Sequence, residues 1–160
     1  MARLKPKQSA LTSDIAREAS ARSITIAVAE SVTAGHIALE LASAESASVW
    51  FRGGVVAYQT DLKRSLLGVV AERIISATCA AQMAEGVVAI TGADISVAVT
   101  GVGGPEPEGG EPPGTVFVAV CGSAGVRTYE YRFDGKPDVV VTLATEQALR
   151  HLREVTAAWV

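Results

Sequence analysis

The sequence predicts an α/β fold, a three-layer α/β/α sandwich built on a mixed, mostly parallel sheet. Short apolar runs such as ITIAVA (24–29) and ISVAVTG (95–101) lack polar alternation, as is typical of strands covered on both faces. They alternate with longer segments of helical periodicity, which indicates strands joined by helices. Near the carboxyl end, two strand-like runs are separated only by a short turn and predict an antiparallel hairpin.

The first third of the chain predicts two helices and two strands. Residues 13–22 are predicted to form a helix with Ser13 as a candidate cap, and the predicted strand 24–29 follows it. Residues 33–43 again have helical periodicity. The run 49–59 reads as a strand broken, as by a β-bulge, at its Gly-Gly pair.

Two helices, a strand and a long loop come next. TDLKRSLLG (60–68) begins with residues favoured at helix starts and ends in a glycine favoured after a helix. The alanine-rich stretch 78–91 predicts another helix, and the strand 95–101 follows. Residues 101–114 contain too much Gly and Pro for regular structure, and loops of this length are often functional.

A hairpin and a helix complete the predicted fold. The strands 114–122 and 126–133 flank a Ser-Ala-Gly turn, and alternation in the second strand predicts one wet face. Pro137 lies near the first turn of a final helix. Because no internal repeat or linker is visible, we expect a flexible tail at 1–10 and a single domain over 11–160.

Composition excludes several classes of function. The 160 residues contain no apolar run near the roughly 20 residues that cross a bilayer, and the basic start lacks the apolar stretch of a secretory signal. A net charge of -3 without a basic block argues against a nucleic-acid partner. Cys79 and Cys121 stand alone in apolar contexts, which predicts core residues in a reducing cytoplasm. The two histidines lack neighbouring ligands for a catalytic zinc.

Three predicted loops follow strands and should share one crevice, since ligands collect at the carboxyl ends of strands in such sheets. They are the loop at Ser31, the strand end near Tyr58 and the glycine-rich loop after Thr100. A nucleophilic Ser31 would need a lysine as its base, because His36 is expected a turn into its helix.

Lys63 is the leading candidate for that base. It lies in the first turn of a predicted helix, where the positive end of the helix dipole lowers a lysine pKa. Tyr58 would share the proton transfer or hold the lysine in place. From the residues alone the alternatives stay open: Ser31 can be a helix cap, Lys63 a solvated lysine and Tyr58 a strand aromatic.

Five stretches, in order, are similar to one known family. They are AESVTAG (29–35), WFRGGVVAYQTDLKRSLLGV (50–69), MAEG (83–86), ISVAVTGVGGPE (95–106) and PPGTVFVAV (112–120). Several matches in the right order are specific, whereas one alone is weak. From about residue 11 to about residue 153 the chain resembles the carboxy-terminal domain of the CinA (competence/damage-inducible) proteins, whose stand-alone members are nicotinamide-nucleotide amidohydrolases.

The resemblance implies hydrolysis of nicotinamide mononucleotide (NMN) to nicotinic acid mononucleotide and ammonia, without a metal or cofactor. The family's serine, tyrosine and lysine fall on Ser31, Tyr58 and Lys63. Backbone N–H groups from Val32 to Gly35 would hold the oxyanion, and the loop 101–104 would let the backbone approach the substrate. The residues expected to bind substrate are Thr33, Ala34, Gly35, Arg52, Gly54, Thr100, Gly101, Gly103 and Gly104.

The chain departs from the usual family pattern at several positions. Val32 and Ala34 stand where the family usually has cysteine and glycine. Pro137 and Val141 stand where it usually has arginines. If those arginines bind the nucleotide phosphate, NMN should bind more weakly here, because charge-assisted bonds are lost. Lys136 or Arg52 would replace them only in part.

Three hypotheses for the function therefore remain. The first is an NMN amidohydrolase, and the second is an amidase of the same mechanism on a different, less anionic amide. The third is a nucleotide-binding or protein-interaction module that has lost catalysis. We expect a cytoplasmic protein that binds a small-molecule nucleotide, neither nucleic acid nor membrane, and that forms a homo-oligomer, a dimer.

Overall fold

The computed structural model describes residues 9–160, and within them it has six helices and five strands. The helices are α1 Ala10–Arg22, α2 His36–Ala42, α3 Ala47–Trp50, α4 Thr60–Leu67, α5 Ala77–Thr91 and α6 Pro137–Ala157. The strands are β1 Ile26–Glu30, β2 Phe51–Val56, β3 Ile95–Gly101, β4 Thr115–Gly122 and β5 Gly125–Arg132. Residues 1–8 of the expected tail lie outside the described part, whereas Ala10 already belongs to α1.

The five strands form one open sheet in the order β2-β1-β3-β4-β5. The central strand β1 pairs in parallel with β2 and with β3, and β4 pairs antiparallel with β3 and with β5. Because β5 thus runs in the direction of β3, four of the five strands point the same way. The predicted mixed, mostly parallel sheet is confirmed.

Helices cover both faces of the sheet and create two cores. On one face, α1, α2, α3 and α6 pack on the valines and isoleucines of β1, β3 and β4. On the other face, α4 and α5 pack on alanines of the same strands, including Ala27 and Ala98. The small alanine side chains allow a close approach, and the Ser96 hydroxyl donates to the Ala84 carbonyl of α5 at 2.7 Å. The predicted three layers are therefore present.

The helices of the first half of the chain differ from the prediction in three respects. Helix α1 begins before Ser13, and its cap is Ser9, whose Oγ accepts the Thr12 N–H at 3.2 Å. Helix α2 begins at His36 rather than at 33, because Ala34 and Gly35 both have positive φ angles, which a helix does not allow. The four-residue helix α3 was not predicted, since it is too short to show a period.

The predicted hairpin is found, and the predicted irregularity in β2 lies one residue before the Gly-Gly pair rather than at it. Phe51 and Gly53 pair with successive residues of β1, so the intervening Arg52 is an extra residue, as in a bulge. Strands β4 and β5 are joined by a two-residue turn, and Tyr129 and Tyr131 of β5 pack on the core while alternate residues face solvent.

The cysteine prediction holds for one residue of the two. Cys79 is buried in α5, whereas Cys121 near the end of β4 is only half-buried, and both are free. No helix in the described part of the chain is long and apolar enough to cross a membrane.

The path of the chain opens a crevice at one edge of the sheet. The chain leaves β1 for β2 on one side through α2 and α3, and then reaches β3 on the other side of β1 through α4 and α5. The two connections lie on opposite faces of the sheet. Such a switch point, at the carboxyl ends of parallel strands, is where ligands bind in open α/β sheets.

Candidate active site

A pocket of about 360 Å³ occupies this switch point. All three predicted loops contribute to it: Ser31 after β1, Tyr58 after β2, and the loop 101–108 that begins at the end of β3. Lys63 of α4 forms part of its wall. The expectation that these loops share one crevice is confirmed. His36 is not in this lining and instead lies at a separate groove between α1, α2 and α6.

Ser31 is held by its backbone and leaves its hydroxyl free. Its N–H donates to the Val99 carbonyl at 3.0 Å, which extends the pairing of β1 with β3, and its carbonyl accepts the Ala34 N–H at 3.0 Å. Within residues 9–160 the Ser31 hydroxyl has no hydrogen-bond partner, although every fully buried polar side-chain atom there has one. The hydroxyl therefore faces the pocket and does not cap α2.

The capping role belongs to Glu30, which sequence reasoning missed. Its buried carboxylate accepts the N–H groups of Ile37 and Ala38, each at 3.0 Å, and the Thr33 hydroxyl at 2.7 Å. A charge without solvent is tolerated only when it is bonded in this way. Glu30 thus ties the end of β1 to the start of α2, with Ser31 between them. The available signal was a lone acidic residue at the end of an apolar strand.

Lys63 is a buried lysine rather than a solvated one. Its side chain enters the protein, with 2% of the residue exposed, and Nζ donates to the Tyr58 carbonyl at 3.1 Å. Burial lowers the Lys63 pKa from its ordinary value, against smaller opposing effects of Cys79 and Glu108. Burial, not the helix dipole on which the prediction relied, is the leading cause. A lowered pKa increases the fraction of neutral amine, the form that can accept a proton.

Tyr58 holds Lys63 with its backbone. The side chain itself is 65% exposed at the pocket mouth, and its phenol has no hydrogen-bond partner among the described residues. The Tyr58 carbonyl positions the lysine, and this bond does not involve the phenol, which was also considered for proton transfer. The phenol remains open to a substrate.

Of the predicted oxyanion donors, the N–H groups of residues 32–35, only that of Ala34 is bonded within the described chain, to the Ser31 carbonyl. The N–H groups of Thr33 and Gly35 have no acceptor there, but these two residues are outside the pocket lining. By contrast, the N–H groups of Val32, Gly103 and Gly104 belong to residues that line the pocket, and in the described chain they have no acceptor. Candidate oxyanion donors therefore include the glycine-rich loop as well as Val32.

Arg52 and Gly54 do not reach the pocket. The Arg52 guanidinium donates from Nε to the Thr91 carbonyl at 2.6 Å, at the carboxyl end of α5, because Arg52 lies near the beginning of β2. Gly54 has a packing role, since a Cβ there would lie 2.2 Å from the Val28 carbonyl oxygen. Neither residue is placed to bind a substrate at Ser31.

Thr33 and Thr100 support the pocket from behind. Both are fully buried, and the Thr33 hydroxyl is used by Glu30. The Thr100 hydroxyl donates at 3.1 Å to the carbonyl of Ile74, next to the pocket residue Ile75. Their hydroxyls fix neighbouring loops and do not face a substrate.

The glycine predictions divide into two groups. Gly101, Gly103 and Gly104 line the pocket, and at Gly101 a Cβ would lie 2.6 Å from the Thr115 carbonyl oxygen. Ala34 and Gly35 shape the turn before α2 and are outside the lining, with φ angles of 49° and 98°. They act on the site through the position of Ser31.

The charge of the pocket is unusual for a phosphate-binding site. Lys63 is the one basic side chain among the described residues of its lining, whereas Glu106 and Glu108 are both acidic. Pro137 and Val141 of α6 complete the wall with apolar surface.

Two arginine side chains anchor the loop that forms one wall of the pocket. Arg73 and Arg132 both bind Glu111, at 2.5 and 3.2 Å, and so tether the loop that carries Glu106 and Glu108. Over residues 9–160 there is no group of three His, Cys, Asp or Glu side chains that could hold a metal ion.

Comparisons with known sequences point to one family. The family described as the CinA C-terminal domain matches residues 8–156. A CinA-like protein of Frankia casuarinae is 41% identical over 141 residues, which cover 85% of this chain and 33% of that protein. A CinA-like protein of Geobacter sulfurreducens is 38% identical over 147 residues, covering 87% of this chain and 35% of that protein. The chain thus spans about a third of the length of these relatives.

Solved structures give the same result over nearly whole chains. A CinA superfamily protein from Klebsiella pneumoniae has a TM-score of 0.87 at 35% identity, over 93% of this chain and 97% of that chain. A second, from Escherichia coli, has a TM-score of 0.86 at 32% identity, over 95% of this chain and 91% of that chain.

Proposed function

Because the chain belongs to the CinA C-terminal domain family, we propose that it is an amidohydrolase that cleaves a nicotinamide-type carboxamide, with NMN as the reference substrate. One observation carries the proposal. The unbonded hydroxyl of Ser31 and the buried amine of Lys63 line the same pocket at the switch point of the sheet. A serine nucleophile with a lysine base is an established variant of the serine-hydrolase arrangement.

The reaction begins with the transfer of a proton from Ser31. Neutral Lys63 accepts it at Nζ, directly or through the Tyr58 phenol, while Ser31 Oγ attacks the carboxamide carbon. The tetrahedral intermediate collapses when the Lys63 ammonium gives the proton to the nitrogen, so that ammonia leaves and an ester on Ser31 remains. Water, deprotonated by Lys63, then attacks that ester. The acyl–Oγ bond breaks, the carboxylic acid leaves, and the Lys63 ammonium returns the proton to Ser31 Oγ. No step calls for a metal or a redox cofactor.

The developing oxyanion needs donors that are fixed before the reaction. The N–H groups of Val32, Gly103 and Gly104 are the candidates, since these residues line the pocket and their amides are free among residues 9–160. One well-placed donor is worth about 3 kcal/mol of barrier. The anchored loop 101–108 keeps two of these donors in place.

Ammonia release tests the proposal. The wild type should release ammonia from at least one of NMN, nicotinamide riboside and nicotinamide, and Ser31→Ala should lower kcat by at least about 1,000-fold. Ser65→Ala is the matched control, because Ser65 is an exposed serine of α4 outside the pocket. Turnover in Ser31→Ala at the rate of the control would remove Ser31 from the mechanism.

A non-catalytic binding module of the same fold is the competing function. It predicts that NMN binds in calorimetry but that the wild type releases no ammonia from any of the three amides. The lowered pKa of Lys63 favours the amidohydrolase over the binding module, because an easily deprotonated amine serves as a base and has no evident use in binding alone.

A further inference from the structure

We propose that the pocket selects a carboxamide whose remainder carries positive charge and no phosphate, a pyridinium riboside in preference to its monophosphate. This inference rests on the proposed function and specifies its substrate class. The observation behind it is the pairing of two carboxylates, Glu106 and Glu108, with apolar Pro137 and Val141 around a single buried lysine.

The position of Ser31 decides which part of a substrate meets these residues. A carboxamide placed between Ser31 and Lys63, with its oxygen at the Gly103 and Gly104 amides, occupies only part of the lining. The rest of the lining, which is left for the ring and its substituent, includes Glu106 and Glu108 of the loop and Pro137 and Val141 of α6. The far end of the substrate therefore lies in the part of the pocket that is acidic and apolar.

A phosphate in that region is poorly matched. It carries between one and two negative charges near neutral pH and is normally bound by arginine or lysine in charge-assisted hydrogen bonds. Here Lys63 is committed to the Tyr58 carbonyl and to the reaction, and Arg73 and Arg132, which anchor the loop, both bind Glu111. The phosphate would instead face two carboxylates of its own sign.

A pyridinium ring without phosphate is well matched. Its positive charge is attracted by Glu106 and Glu108, and the exposed ring of Tyr58 at the pocket mouth offers an aromatic face for a cation. The ribose has hydroxyl groups that donate hydrogen bonds, and carboxylates accept them. The same residues that repel the monophosphate therefore favour the riboside.

The start of α6 is the strongest counter-argument. The positive end of its dipole lies at Pro137, on the pocket wall, and Lys136 precedes it. Two features weaken this alternative. The N–H groups of Val139 and Val140 are already bonded to the Lys136 carbonyl, and Asp138 places a carboxylate in the same turn. The anion-binding capacity of this helix end is accordingly small.

The test compares kcat/KM for ammonia release from nicotinamide riboside and from NMN. We expect the wild type to favour the riboside at least about tenfold, and the preference to shrink with added salt, as it does for exposed charges. Glu106→Gln/Glu108→Gln should shift the ratio toward NMN by about fivefold for each carboxylate. Val141→Arg should raise kcat/KM for NMN about tenfold or more and leave the riboside within about twofold.

Glu45→Gln is the matched control, because it removes the same charge from a surface beside α1, away from this pocket. It should leave the ratio unchanged. If NMN is preferred by the wild type, or if the glutamine variants leave the ratio at its wild-type value, the proposed selectivity is wrong. A preference for NMN would make the α6 end with Lys136 the next candidate for the phosphate site. That outcome leaves the amidohydrolase intact, whereas no ammonia from either substrate would overturn the proposed function itself.

Discussion

Glu30 and Ser31 are neighbours with opposite roles. Glu30 uses its carboxylate to bind the turn and the α2 amides, and Ser31 in consequence keeps its hydroxyl for the pocket. If Ser31 capped α2 itself, its oxygen would be committed to an N–H group and less able to attack. The presentation of the Ser31 hydroxyl to the pocket therefore depends on a residue that does not line the pocket.

Glu30→Gln tests that dependence. The variant keeps the shape of the side chain but replaces one acceptor oxygen with an NH₂ group, which cannot accept from a backbone N–H. Losing a hydrogen bond to a buried charge should lower the free energy of unfolding by about 2–3 kcal/mol, measured by urea denaturation. Glu40→Gln, in the helix α2 that Glu30 caps and without a side-chain hydrogen bond in the described structure, should change it by less than about 0.5 kcal/mol. Equal stabilities would contradict the capping role.

Lys63 must be neutral to act as a base. Burial lowers its pKa, so kcat/KM should rise with pH along a limb that lies below the ordinary lysine value of about 10.4. Lys63→Arg should lower kcat/KM at least about 100-fold, as much as Lys63→Ala does, because arginine stays charged and cannot accept the proton. The check is a pH profile of ammonia release for all three proteins. An arginine variant with substantial activity, or a flat profile, would make Lys63 an electrostatic anchor instead.

At the scale of elements, the crossing of α4 and α5 sets the position of Lys63. Helix α5 approaches the end of α4 so closely at Gly86 that a Cβ there would lie 2.0 Å from the Leu67 carbonyl oxygen. Lys63 belongs to the same short helix, one turn earlier. The glycine is thus needed for the packing that keeps the lysine buried.

Gly86→Ala should destabilise the protein, against the ordinary trend. In an unobstructed helix the change is worth about 1 kcal/mol of stability, since alanine is the better helix former. Here the added Cβ meets backbone, so overpacking should cost about 2–3 kcal/mol, and we expect a net loss of about 1–2 kcal/mol and reduced kcat as α4 shifts. Thermal unfolding and ammonia release measure the two effects. A stabilised variant with full activity would show that α4 and α5 can separate without consequence.

The elements that sequence predicted well are those whose pattern is local. The helix at 78–91 and the strand at 95–101 match α5 and β3 within one residue, because composition and period settle both. The cap at Ser9 and the four-residue α3 were missed, since a cap depends on turn geometry and a single turn has no period.

The site was predictable to the same extent. That Ser31, Tyr58 and the glycine-rich loop meet follows from strand direction alone. The bonds of Glu30 to amides seven and eight residues later could not be read from spacing, because they depend on the positive φ angles of Ala34 and Gly35. Arg52 was expected at the substrate, although its place near the beginning of β2 puts it beyond reach.

At the scale of the whole molecule, burial of Lys63 links the site to stability. A lysine whose pKa is lower in the folded than in the unfolded state opposes folding while both states are protonated. The whole of this free-energy cost applies at pH values below the folded-state pKa. It decreases as pH rises above that pKa and is gone above the unfolded-state pKa of about 10.4. The free energy of folding contributed by the rest of the structure therefore keeps this amine buried.

The stability difference between wild type and Lys63→Met should change with pH in one direction. As pH rises from 7 toward about 10, the free energy of unfolding of the wild type should increase relative to that of the methionine variant by about 1 kcal/mol or more. Lys136→Met is the matched control, since Lys136 is exposed, and its difference from wild type should stay constant. Urea denaturation of all three proteins across this pH range measures these differences. A Lys63→Met difference that is also constant would mean that Lys63 is solvated in the folded state.

The central claim is that an ester forms on Ser31, and partition of that ester between water and hydroxylamine tests it most directly. Hydroxylamine added to the wild type and its preferred amide should divert product from the acid to the hydroxamate, with one ammonia released for each product formed. Ser31→Ala should form neither product above background. Acid without hydroxamate in the wild type, across a range of hydroxylamine concentrations, would mean that water attacks the amide directly and would contradict Ser31 as the nucleophile.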